Sequence, residues 1–164
     1  MKIGFEAKRV FRNFTGLGNY SRAVVRILAT ERPENAYVLY TPSQNQQIGS
    51  ELVKAFPNVS VVEAPVKYLK SVWRMLSITK DLRRDHISIF HGLSNELPLT
   101  IRKSGIPSVV TIHDLIFLRY PQYYKFIDRK IYEYKFRKAC ENANRIIAIS
   151  QQTKNDIVDL FKID

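Results

Sequence analysis

A single cysteine, Cys140, in a chain of 164 residues excludes an intrachain disulfide and any cysteine-built metal cage. It falls within a helical pattern and reads as a small packing residue. No run of about 18 apolar residues occurs, so no transmembrane helix is expected. The opening Met1-Lys2-Ile3-Gly4-Phe5-Glu6 lacks the long apolar core of a signal peptide, and a cytoplasmic location is expected. Acidic residues are also scarce: 15 Asp and Glu stand against 26 Lys and Arg. Glu6, Glu96 and Asp114 lie near expected strand ends, and none forms an evident acid/base pair. The G-x-S-x-G elbow and the G-x-x-x-x-G-K-S/T phosphate loop are absent. So are internal repeats and low-complexity tracts.

The excess of cations leaves a formal net charge of +11. It is spread along the chain rather than held in a tail, and it includes Lys125, Arg129 and Lys130 of a late helical segment. Such a surface attracts anionic lipid, nucleic acid or phosphorylated ligands, or serves solubility alone. The neighbouring stretch from Tyr120 to Phe126 mixes aromatic and basic residues, as an interfacial anchor does. Packing of those rings over a sheet is the alternative.

What the chain does have is an alternation of strand-like and helix-like periods. Strands are expected at Lys2-Ile3-Gly4-Phe5-Glu6, Ala36-Tyr37-Val38-Leu39-Tyr40, Val59-Ser60-Val61-Val62, Ile87-Ser88-Ile89-Phe90-His91, Pro107 to His113 and Arg145-Ile146-Ile147-Ala148-Ile149. Helical spacing is expected over 20–30, 50–56, 69–84 and 124–142, and Ser150 is placed to cap a last helix. The first strand runs into an irregular basic loop, and 43–47 reads as a polar loop. Repeated β-then-α units of about 25 residues predict one α/β domain over 1–164, a doubly wound Rossmann-like parallel sheet with helices on both faces.

Ligands in such sheets bind outside the carboxyl ends of the strands. That rule selects the candidate residues. Gly16, Leu17 and Gly18 precede a helix, where glycine permits positive φ and close approach of another molecule. The helix amino end offers unpaired N–H groups to a phosphate. A plain strand-to-helix turn is the alternative, since the third glycine of a dinucleotide fingerprint is missing. Asn19 and Tyr20 follow the glycines. His113 ends the most apolar strand, where it can exchange a proton near neutral pH or simply bond the backbone. Asp114 and Ser150 are either site residues or helix caps. His91 ends the preceding strand. Two histidines without a third ligand argue against a metal site. His86 reads as solvated.

These pieces occur in one order: Thr15-Gly16-Leu17-Gly18-Asn19-Tyr20, a strand ending at His91, Thr111-Ile112-His113-Asp114-Leu115, and Ile147-Ala148-Ile149-Ser150-Gln151-Gln152-Thr153-Lys154-Asn155-Asp156. Together they resemble the N-terminal half of a family 4 glycosyltransferase, the retaining, nucleotide-sugar-dependent group with the GT-B fold. The resemblance spans essentially the whole chain. It implies transfer of a hexosyl unit from a GDP- or UDP-linked sugar to a glycan or lipid-linked acceptor. Cell-surface polysaccharide synthesis at the inner face of a membrane is the implied setting. It places Gly16, Leu17 and Gly18 by the donor phosphates or sugar and His113 at the reaction centre as the catalytic residue. Asn19, Tyr20, His91, Asp114 and Ser150 would form the acceptor side or cleft wall. No metal and no cofactor beyond the nucleotide-sugar co-substrate are implied. The family's donor-binding C-terminal domain is not among these residues, so the 164-residue piece is expected to fold without transferring sugar alone. The competing reading is a non-catalytic basic Rossmann-like module for nucleic acid or another polyanion. No recognition-helix or RNP pattern supports it, and no nucleic-acid partner is expected.

Overall fold

The computed structural model describes residues 1–44 and 47–163, with Gln47 and Ile48 as backbone only. Six strands form one sheet: β1 (Lys2–Glu6), β2 (Ala36–Thr41), β3 (Val59–Glu63), β4 (Ile89–Gly92), β5 (Ser108–Ile112) and β6 (Arg145–Ala148). Every neighbouring pair is parallel and the order is β3-β2-β1-β4-β5-β6. The strand order reverses between β1 and β4, where Glu6 pairs with Gly92. That pair marks the switch point at which open α/β sheets leave a crevice. The chain is α/β and Rossmann-like, as its alternating periods predict.

Both faces of the sheet are covered. Along β2, Tyr37 and Leu39 join one core with Phe5, Val25 and Leu52, while Val38 and Tyr40 join another with Trp73, Leu82, Phe90 and Ile112. This alternation is the period-2 signature of a strand buried on both sides. The first core is roofed by α1 (Lys8–Arg12), α2 (Gly16–Glu31) and α3 (Gln47–Ala55). The second is roofed by a helical segment made of α4 (Lys70–Val72), a π-helical turn (Trp73–Ser77) and α5 (Ile78–Arg84), followed by α6 (Ile101–Ser104), α7 (Ile116–Arg119) and α8 (Phe126–Asn142), and by Ile157 and Phe161, which follow α9 (Gln151–Asp156). A further π-helical turn, Ile157–Phe161, follows α9. The π-helical turn after α4 adds a residue to the helical repeat and turns two successive side chains inward. Trp73 donates from Nε1 to Asp81 Oδ2 at 2.7 Å, and Arg74 reaches under the sheet edge.

The structure differs from local expectation in four places. The irregular loop expected after β1 is the one-turn helix α1. Its cap position is Ala7, which has no side chain to cap with, and Glu6 Oε1 accepts from the Lys8 amide at 3.3 Å; Val10 and Phe11 hold it by burial. Phe11 packs so closely that a Cβ on Gly49 would meet its ring at 2.1 Å. The polar loop expected over 43–47 lies partly outside the described residues, and Gln47 opens α3. The short helices α6 and α7 had no periodic signal of their own. The expected aromatic stretch divides: Tyr124 packs against Phe117 with ring centroids 6.3 Å apart, while Tyr123 is exposed.

Cys140 is buried, and burial pushes its thiol pKa up to about 12, as suits a packing residue. Packing of this kind gives a direct test. Phe90→Ala, which empties a fully buried site, should lower unfolding free energy by about 3–5 kcal/mol in urea titration. Ile147→Ala, on the exposed side of edge strand β6, should lower it by less than about 1 kcal/mol. Equal losses would contradict this division of core and surface.

Candidate functional site

The loop that enters α2 folds around one side chain. Asn13 Oδ1 accepts from the Thr15 amide at 3.0 Å, the Thr15 hydroxyl at 2.8 Å and the Gly18 amide at 2.9 Å. Asn13 therefore caps the helix, although Thr15 occupies the formal cap position without a side-chain bond. Neither Gly16 nor Gly18 has positive φ; among the described glycines only Gly105 does, where it ends α6. The conformational role expected of these glycines is thus not the one they play. A Cβ on Gly18 would lie 1.8 Å from the Asn13 carbonyl oxygen, so Gly18 is glycine to let the chain pack on itself. A Cβ on Gly16 would meet nothing within 4 Å. With the Gly18 amide occupied, the amides of Gly16 and Leu17 stand without an acceptor among the described residues at the positive end of α2. No acidic residue lies in that first turn.

Tyr20 carries this helix end to His113. Its ring meets the His113 ring edge-on, centroids 4.8 Å apart at 87°, and its hydroxyl shares a hydrogen bond with Thr111 Oγ1 at 3.2 Å. His113 is held from several elements at once. Its amide donates to Asn95 Oδ1 at 2.8 Å, and its carbonyl accepts from the Thr153 hydroxyl of α9 at 2.9 Å. Its Nε2 is 3.0 Å from the Leu93 carbonyl, which can only accept, so Nε2 carries the proton. The remaining ring nitrogen, Nδ1, takes no hydrogen bond from the described residues. Asn95 holds a left-handed φ of 63°, a conformation asparagine tolerates, and its own amide donates to the Thr111 carbonyl.

His91 sits differently. It is buried between Phe5 and β5, and its Nε2 shares a hydrogen bond with Thr111 Oγ1 at 2.9 Å. Burial lowers its pKa to about 4. Tyr20, Thr111 and His91 thus form a hydrogen-bonded chain beneath the site. Asp114 is exposed and accepts from the Ile116 amide at 3.2 Å, as a cap does. Ser150 caps α9, accepting from the Thr153 amide at 3.1 Å. It reaches His113 only through Thr153, and it also lines the cavity of about 960 Å³ along β6. Asn19 is exposed, with its side-chain Oδ1 accepting from Arg22. Arg129 and Lys130 lie apart from these residues on α8, and Lys125 immediately precedes that helix.

Across the switch point stands an ion-pair bridge that strand-end reasoning missed. Arg74 Nη1 pairs with the buried Glu6 at 3.2 Å and Nη2 with Glu96 at 2.9 Å; Lys135 adds a contact to Glu96 at 3.4 Å. The bridge ties the end of β1 to the loop after β4. Gly92 permits it, because a Cβ there would lie 2.2 Å from the Glu96 carbonyl oxygen. Burial, then the nearby Arg74 charge, holds the Lys8 ammonium below its usual pKa. Only the two carboxylates at strand ends hinted at this cluster. Among the described residues no group of three His, Cys, Asp or Glu side chains could hold a metal ion.

A sequence profile described as Glycosyltransferase Family 4 matches residues 14–164. No curated protein matches the chain. The matched span begins one residue after Asn13 and contains the α2 end, His113 and Thr153.

His91 sets a pH dependence. In the unfolded chain it takes up a proton near pH 6.5, but in the folded protein only near pH 4. Its contribution is complete above pH 6.5 and is lost as pH falls toward 4, by about 3 kcal/mol. Asp85 and Asp156, whose pKa values are lowered from 3.8, add their losses below that window. Urea midpoints should fall steeply from pH 7 to 4.5 in the wild type and much less in His91→Gln. Parallel curves would rule out this role.

Proposed function

The chain belongs to glycosyltransferase family 4, and from that premise we propose that it forms the acceptor-binding half of a retaining transferase using a GDP- or UDP-linked hexose. Family membership supports a glycosyltransferase-type function and does not favour the nucleic-acid reading. The acceptor in this proposal is a glycan or lipid-linked saccharide, and a facing donor-binding half completes the cleft.

The observation that carries the reading is the open amino end of α2 set against His113 by Tyr20. In transfer, the bond from the sugar's anomeric carbon to the diphosphate breaks, and the diphosphate leaves with the bonding pair. Negative charge grows on its oxygens. In this reading the free Gly16 and Leu17 amides and the helix dipole receive that charge without rearrangement. The acceptor hydroxyl forms the new bond from the face the diphosphate leaves, and its proton passes out with the leaving group or to solvent. His113, with Nε2 committed to Leu93, offers Nδ1 to a sugar hydroxyl. Asn95 and Thr153 fix its backbone, so the ring's position is set before substrate arrives.

The two glycines now separate as tests. In the enzyme joined to its donor-binding half, Gly16→Val should cut kcat/KM by about 100-fold or more while the unfolding midpoint stays put. Gly18→Val should lower stability, because its side chain meets the Asn13 carbonyl. His113→Ala should reduce turnover roughly 100-fold, with a smaller effect on folding. Unchanged turnover in both Gly16→Val and His113→Ala would remove the α2 end from the site. Robust transfer by these 164 residues alone would overturn the two-half reading.

A further inference from the structure

A helix that covers a sheet normally turns its polar side to water. The α8 helix turns apolar side chains to water as well. Phe136, Ala139 and Cys140 face the core, yet Phe126, Ile127, Ile131 and Tyr134 stand between 45 and 70% exposed on its other side. With Met75 of the π-helical turn, they line a groove of about 370 Å³ whose other walls are Lys130 and Lys135. The helical segment that supplies Met75 repeats the pattern. Tyr68, Leu69, Val72 and Leu76 recur at helical spacing and are all exposed, the first two at 75%.

Leu69 supplies an independent observation. Its φ is 57°, a left-handed conformation that leucine rarely adopts, and its side chain gains no burial there. The chain thus holds an apolar tip outward in a strained conformation. Basic side chains accompany these tips. Lys67 lies over the Tyr68 ring at 5.8 Å, Arg129 over the Phe126 ring at 5.5 Å, and Lys125 is exposed at the start of α8.

We propose that this face, formed by α4, the π-helical turn and the amino-terminal half of α8, docks on the surface of an anionic lipid bilayer. Leu69, Phe126 and Ile127 enter the boundary between headgroups and acyl chains. Lys67, Lys125 and Arg129 lay their aliphatic stems along the apolar surface and meet lipid phosphates with their charged ends. Charge selects this occupant: a chain of net charge +11 with cations beside its exposed rings complements an anionic sheet. Docking is at the surface, since no helix of the described residues is long and apolar enough to cross a membrane. This inference does not rest on sugar transfer; its failure would leave transfer to a soluble acceptor intact.

The test is co-sedimentation of the whole chain with vesicles of phosphatidylcholine alone or with added phosphatidylglycerol. Binding should be at least about tenfold tighter to the anionic vesicles and should weaken as salt rises. The double substitution Leu69→Asp and Ile127→Asp alters only exposed positions. It should reduce binding about tenfold or more, with an unchanged circular dichroism spectrum. Ile27→Asp, at an exposed position on α2 in the opposite layer, should leave binding within about twofold. Equal binding by the double variant and the wild type would overturn the proposal, as would indifference to phosphatidylglycerol. A concentration-dependent dimer abolished by the same double substitution, without vesicle binding, would assign the face to a second copy of the chain instead.

Discussion

His113 is held from outside its own strand, and the arrangement of the carboxyl edge depends on that. Parallel strands end with backbone groups that no neighbouring strand can satisfy, so loops and side chains must supply partners. Here Asn95 takes the His113 amide and Thr153 gives its hydroxyl to the His113 carbonyl. The Leu93 carbonyl fixes the ring's tautomer. Three segments distant in sequence therefore converge on one residue: the loop after β4, the start of α9 and, through Tyr20, the first turn of α2. Arg119 strengthens the same corner by pairing with Asp156, which also accepts from Gln152.

Much of this edge was legible in the sequence. The β-branched run Val109-Val110-Thr111-Ile112 announces a buried strand, and the alternation of periods announces a parallel sheet. The carboxyl-end rule then leads to His113 and to the glycine loop. What stayed hidden depends on a side chain meeting backbone only after folding. Asn13 looks like any polar loop residue until the loop closes and brings three donors to one carboxamide oxygen. Arg74 reads as one more cation on a helix, because ordinary helical spacing does not foresee a π-helical turn that rotates it inward toward Glu6. His91 and His113 look equivalent as strand-end histidines. They differ because His91 lies within its strand, beside Phe5, whereas His113 follows the end of β5.

The glycine pair shows how a short motif can mix two causes. Gly18 serves the fold, since the Asn13 carbonyl occupies the space of its missing side chain. Gly16 leaves its missing side chain's space empty, which is the property a ligand needs. The motif alone cannot divide these roles, because both call for the same residue. Only the contacts of the absent Cβ atoms separate them.

The distribution of charge divides the molecule in a related way. Near the proposed site several cations are already committed. Arg22 donates to the carbonyls of Val10 and Asn13 and to Asn19, and Arg74 and Lys135 pair with Glu6 or Glu96. At the amino end of α2 the backbone amides and the helix dipole are the groups left to attract the proposed anion. Such groups act over short distances and keep their orientation, which suits a leaving diphosphate at a defined position. Cations on flexible stems, such as Lys67 and Lys125, lie instead beside exposed aromatic and aliphatic side chains. There a diffuse field suits a broad anionic surface. The large positive charge of this chain therefore supports the proposed phosphate site poorly and the proposed lipid-facing surface better.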